Sequence, residues 1–166
     1  MKAVKFEGDI NHDSIKMLLA DIDKIDLNEN IVLYFTSGGG MVTDKDILVD
    51  YINRNPKRFE IVCYWEMSSC AFDLLVNVRC KIRLGQNCLA KIHLYSNELK
   101  YYNLGDSKSI DVFLLNDLNK RNKIWFEQLK RADCTLEEIE FLKLGNDLIL
   151  DVNRMAHIIK SIRNNK

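Results

Sequence analysis

The chain has 166 residues, 47 % hydrophobic and 29 % charged, with 24 basic and 24 acidic side chains in balance. That composition predicts one soluble globular domain with enough material for a sizeable core, and zero net charge argues against a field that would draw the chain to nucleic acid or anionic lipid. No apolar run approaches the ~20 residues of a membrane span, and Gly8-Asp9 interrupts the start before a signal-peptide core could form, so the cytoplasm is the expected compartment.

Lys2–Phe6 reads as a first strand, and Ile15, Leu18, Leu19 and Ile22 recur at helical spacing between Asn11 and Ile25. A polar loop leads to a buried strand, Ile31–Phe35, and then to three consecutive glycines, Gly38, Gly39 and Gly40. A second helix begins at Thr43 and stops before Asn55-Pro56, where the one proline disfavours continuation. Phe59–Tyr64 predicts a third strand, and Ser68–Val78 a short buried helix entered through two serines suited to capping. Cys80–Leu84 and Leu89–Leu94 read as strands, and a short strand is expected at Leu99–Tyr102. The longest helix runs from Ser109 to Arg131; Phe113, Trp125 and Phe126 give it more apolar surface than one face can bury, which predicts self-association. Thr135-Leu-Glu-Glu138 is a capping box opening a further helix, followed by a strand at Leu148–Leu150 and a helix at Val152–Ile162 before a frayed tail, 162–166. Alternating strands and helices predict a single α/β domain over 1–166, with a largely parallel sheet covered on both faces.

The glycines carry the first chemical signal. A strand that passes into a helix through three glycines exposes backbone amides, which suit a bound phosphate or a transient oxyanion. The dinucleotide fingerprint fails because Thr43 stands where its third glycine belongs, and no Gly-Lys-Ser/Thr triplet completes a P-loop. An oxyanion hole remains, and it calls for a nucleophile and a base. Five cysteines, Cys63, Cys70, Cys80, Cys88 and Cys134, read as buried reduced thiols. No Cys-x-x-Cys or His-Glu-x-x-His pattern occurs, so no metal is expected, and chemistry run by a nucleophile and a base needs no cofactor.

Tyr34-Phe-Thr-Ser-Gly-Gly-Gly-Met-Val-Thr43 resembles the Tyr-Ile-Asn-Ser-Pro-Gly-Gly-Ser-Val-Thr segment of the Clp protease proteolytic subunit. Glu66-Met-Ser-Ser-Cys-Ala71 looks like that family's nucleophile block, Gln-Ala-Ala-Ser-Met-Gly, and Leu89-Ala-Lys-Ile-His-Leu94 like its histidine block. Gly40 and Ser69 stand 29 positions apart, and Ser69 and His93 24, close to the family's intervals. Residues 135–147 also resemble a later family segment, so the likeness covers about residues 4–150.

The resemblance implies a crotonase-like spiral of parallel strands covered by helices, with the long helix as a handle. It implies a serine peptidase with Ser69 as nucleophile, His93 as general base and the Gly40 and Cys70 amides as oxyanion hole. An extended peptide or unfolded protein would lie beside Gly39, Met41 and Val42. The helix N-terminus behind Ser69 and the place of His93 at the end of a strand fit those roles. The sequence departs from the family at Gly38, Trp65 and Ala71, and Trp65 is expected to crowd the cleft. The third triad member falls in a shortened segment whose candidates are Glu127, Asp133 and Asp147, with Asp133 the choice because it lies in a loop. The family's pore-lining N-terminal segment has no counterpart ahead of the first strand, and Tyr95–Gly105 replaces its ring-joining glycine stretch. A homo-oligomer, with a ring allowed, is expected; ring stacking and an AAA+ unfoldase partner stay open. Two other readings stand beside the peptidase. One is a catalytically silent subunit on the same scaffold; the other is a crotonase-type acyl-CoA enzyme using Asp44 or Asp46 as base.

Overall fold

The computed structural model describes residues 1–94 and 108–164, without the side chains of 108–115 and 118. Strand β1 (Lys2–Glu7), helix α1 (His12–Asp23), β2 (Ile31–Ser37), α2 (Val42–Arg54), β3 (Phe59–Met67), α3 (Cys70–Asn77) and β4 (Lys81–Leu84) alternate along the first half. They are followed by β5 (Ala90–Ile92), the long α4 (Lys108–Arg131), α5 (Leu136–Lys143), β6 (Leu148–Leu150) and α6 (Val152–Asn164). The α/β class is as expected. The strand expected at Leu99–Tyr102 and the side chain of Phe113 lie outside the described residues.

β1 to β4 form a parallel sheet in the order β1-β2-β3-β4. Each strand hands over to the next through a helix, and such crossovers are right-handed. Because the order never reverses, right-handed crossovers stack α1, α2 and α3 on the same side. This corrects the expected cover on both faces. Phe6, Leu33, Phe35, Ile61 and Cys63 point into the core, whereas Lys5, Tyr34, Lys81 and Arg83 on the opposite face are exposed. Phe6 and Phe35 stack at 4.5 Å between ring centroids, so adjacent strands interlock beneath the site.

Helix starts follow local chemistry. Asn11 accepts from the Ser14 amide at 3.0 Å while the Ser14 hydroxyl accepts from the Asn11 amide at 3.0 Å. Thr135 and Glu138 form the expected reciprocal pair, at 3.1 and 2.7 Å. In α4, Trp125 is buried edge-on against Phe72 of α3, so part of the apolar surplus expected on this helix is used inside the chain. Ile124 beside it stays 51 % exposed. The two-stranded pair β5–β6 is antiparallel, with Ala90 facing Leu150 and Ile92 facing Leu148.

Candidate active site

The site lies where β2, β3 and β5 end. Past Phe35 the register shifts: Ser37 pairs with Met67, so β3 carries extra residues around Trp65. The Thr36 hydroxyl spans the gap, accepting from the Glu66 amide at 2.9 Å and donating to the Glu66 carbonyl at 3.0 Å. Trp65 itself is 60 % exposed. β5 joins the other edge of β3 in parallel: the Met67 amide donates to the Leu89 carbonyl (2.9 Å) and the Ser69 amide to the Lys91 carbonyl (2.8 Å). That register brings His93, two residues past Lys91, beside the nucleophile candidate.

Ser69 Oγ lies 2.7 Å from His93 Nε2, within hydrogen-bond distance. Ser69 has φ 53 and ψ −130, a left-handed backbone conformation that costs a non-glycine residue ~1–3 kcal/mol. The expectation that the two serines cap α3 is corrected. Neither does so, because Ser69 turns to the histidine and the Ser68 hydroxyl donates to Glu66 Oε1 at 2.6 Å. Ser68 is fully buried and also accepts from the Lys91 amide at 2.9 Å, so it pins the elbow and is closed to substrate.

The glycines shape the opposite wall. Gly39 has φ 110, and a Cβ there would stand 2.6 Å from the Ser69 Cβ. At Gly40, φ is 138 and a Cβ would meet the Ile10 carbonyl at 2.2 Å. The Ile10 amide donates to the Gly39 carbonyl (2.8 Å) and the Met41 amide to the Ile10 carbonyl (2.7 Å), so that edge is occupied by the chain itself. An added peptide strand therefore cannot use those two groups of Gly39 and Met41. Among the described residues no oxygen accepts from the amides of Gly38, Gly40 and Cys70. The Cys70 thiol donates to the Gly40 carbonyl at 3.3 Å, which holds the two oxyanion candidates side by side. Burial pushes that thiol up to about 12, so it stays protonated as a donor. Val42 opens α2 directly behind this wall.

Behind the two amides, α2 and α3 are clasped by charge. Lys45 and Asp73, both more than nine-tenths buried, meet at 2.5 Å, and Lys45 also contacts Asp46. Burial alone would lower the Lys45 amine, but the carboxylates of Asp73 and Asp46 outweigh it and hold it above its ordinary value. Asn77 donates to Asp73 at 2.8 Å. Sequence reasoning missed this clasp; a lone Asp in the apolar run Cys-Ala-Phe-Asp-Leu-Leu-Val was its signal.

The acid candidates are not at the histidine. Asp133 lies 3.3 Å from Nε2 of His157, Glu127 pairs with Lys130 at 3.3 Å, and Asp147 with Lys91 at 3.6 Å. Among the described residues no carboxylate hydrogen-bonds or ion-pairs with His93. Asp44 faces His12 at 3.7 Å and Asp46 is held by Lys45 and Arg121, so both acids proposed for an enolate chemistry are engaged elsewhere.

No protein-family model matches the chain, and no curated protein matches it either. Ser69 and His93 are half-buried. A cavity of about 900 Å³ lies between α2, α3 and α4, but its lining, which includes Asn53, Asn77, Arg79 and Arg121, contains none of the glycines, Ser69 or His93.

Proposed function

We propose that the chain is a serine peptidase resembling the Clp proteolytic subunit, cleaving peptide bonds through an acyl-enzyme. The observation that carries this reading is the 2.7 Å contact between Ser69 Oγ and His93 Nε2 at a left-handed strand-to-helix elbow. His93 takes the hydroxyl proton as Ser69 Oγ attacks the carbonyl carbon, then delivers it to the leaving amine. The Gly40 and Cys70 amides receive the oxyanion, each donor contributing roughly 3 kcal/mol to the transition state. Water repeats the attack on the ester and releases the acid. The substrate is an extended peptide or unfolded protein, and the protein works as a homo-oligomer in the cytoplasm.

A fluorophosphonate probe tests the reading. Wild type is expected to label and Ser69→Ala to lose the label; equal labelling of both, or none of wild type, would exclude Ser69 as nucleophile.

One observation favours a second reading, a silent structural subunit. His93 has no carboxylate partner among the described residues, and Asp133 is turned to His157. The same probe separates the two, since a silent subunit stays unlabelled.

A further inference from the structure

Two of the three glycines are required by the backbone, and the third is not. Gly39 and Gly40 hold positive φ values and stand against Ser69 and the Ile10 carbonyl, where no side chain fits. Gly38 has neither constraint. Apart from its chain neighbours, the one atom that a Cβ there would meet within 4 Å is Glu66 Oε1, at 4.0 Å. A side chain at this position would stand beside the Glu66 carboxylate, and glycine leaves that carboxylate uncovered. The carboxylate is also held in place. The Thr36 hydroxyl brackets the Glu66 backbone at 2.9 and 3.0 Å, and Glu66 Oε1 accepts from the Ser68 hydroxyl at 2.6 Å.

Glu66 Oε2 is the free end of this group. Among the described residues it accepts no hydrogen bond, and no lysine, arginine or histidine pairs with Glu66. The one buried side-chain oxygen there without a hydrogen bond is Glu60 Oε1, so Glu66 Oε2 is open to solvent. Lys91, on the neighbouring β5, is paired with Asp147 at 3.6 Å. Ser68 directly precedes Ser69, and Gly38 directly precedes the glycine that packs on it, so the carboxylate stands in the wall of the site. We infer that Glu66 sets the specificity of this site, taking the ammonium or guanidinium of a basic side chain in the substrate peptide. A fixed carboxylate with no cation of its own gains a charge-assisted hydrogen bond from such a group, which a neutral side chain cannot supply. The inference rests on Ser69 being the nucleophile.

Two diphenyl phosphonate probes test it on the full chain, both with an acetylated amine, one carrying an aminobutyl and the other a pentyl side chain. They differ by an ammonium in place of a methyl group and react with the same serine. Wild type should label about 10-fold faster or more with the aminobutyl probe. Glu66→Gln keeps an oxygen for the Ser68 hydroxyl but loses the charge, and should bring the two rates together. Ser68→Ala keeps the carboxylate without its tie, and should slow both probes while still favouring the basic one. A residue that only shapes the elbow would change both rates alike and leave their ratio unmoved. Equal rates in wild type, where Ser69→Ala abolishes the label, overturn the role of Glu66 and leave the peptidase standing; so does a ratio that survives in Glu66→Gln. If wild type is labelled by neither probe nor by a fluorophosphonate, the nucleophile is overturned instead, and the specificity falls with it.

Discussion

Gly39 and Ser69, distant in sequence, are neighbours in space. A methyl group at Gly39 would stand 2.6 Å from the Ser69 Cβ and would need φ 110, so Gly39→Ala must push the elbow aside. We predict that Gly39→Ala abolishes fluorophosphonate labelling while the far-UV spectrum remains folded; labelling at the wild-type rate would show that the elbow does not depend on this contact. Asp133→Asn removes only an exposed pair with His157, which is worth ~0–1 kcal/mol, and is expected to leave the labelling rate within about two-fold of wild type. At this scale the sequence was informative for atoms that interact through short, fixed intervals. Ser69 and His93 were legible because parallel strands place them. Asp133 was preferred as the acid because a loop residue is free to turn, but nothing in a linear reading shows that His157, on a helix twenty-four positions later, takes it.

The helices behind the site carry their own test. Lys45 and Asp73 are both buried and join α2 and α3, the helices that start just after Gly40 and at Cys70, whose amides are the oxyanion candidates. Breaking a buried ion pair by removing one partner costs ~3–5 kcal/mol, whereas replacing both with apolar side chains is often neutral. Lys45→Met should therefore lower the urea midpoint sharply, and Lys45→Met with Asp73→Leu should recover most of it. A double variant as unstable as the single one would mean that the clasp is not a pair. The Lys45 amine is raised above 10.5 in the folded state, so its contribution is complete below that pH and is lost as the pH climbs beyond it. Elements with strong local chemistry were readable from sequence: the Thr135 capping box, the stop at Pro56 and the helical spacing of α1. The length of β3 was not, because its extra residues are fixed by the Thr36 hydroxyl across the sheet. The antiparallel partner of β5 was also missed, since two three-residue strands have no pattern that states their register.

At the scale of the whole molecule, the unreversed strand order explains both what is covered and what is open. Expected double cover came from counting helices; the topology sends the crossover helices to one face and leaves Lys5, Tyr34 and Arg83 outside. All five cysteines are buried. Burial raises each thiol, to about 11 at Cys80, Cys88 and Cys134 and higher at Cys63 and Cys70. A thiol reagent at pH 8 should find none of them in the native state and all five in denaturant; rapid native labelling at any one would locate a region that opens.

The pairing of β5 with β6 also sets an order in time. A ribosome delivers the glycine wall and the serine elbow well before β6, the strand that braces β5 beside the histidine. A chain ending at Gly145 lacks Leu148–Leu150 and leaves β5 without its antiparallel neighbour. We expect such a truncated chain to be inert toward the fluorophosphonate, and addition of residues 146–166 as a separate peptide to restore some labelling. Full labelling of the truncated chain would contradict this. If Ser69 and His93 form the proposed site, that site stays incomplete until β6 has been added to the sheet.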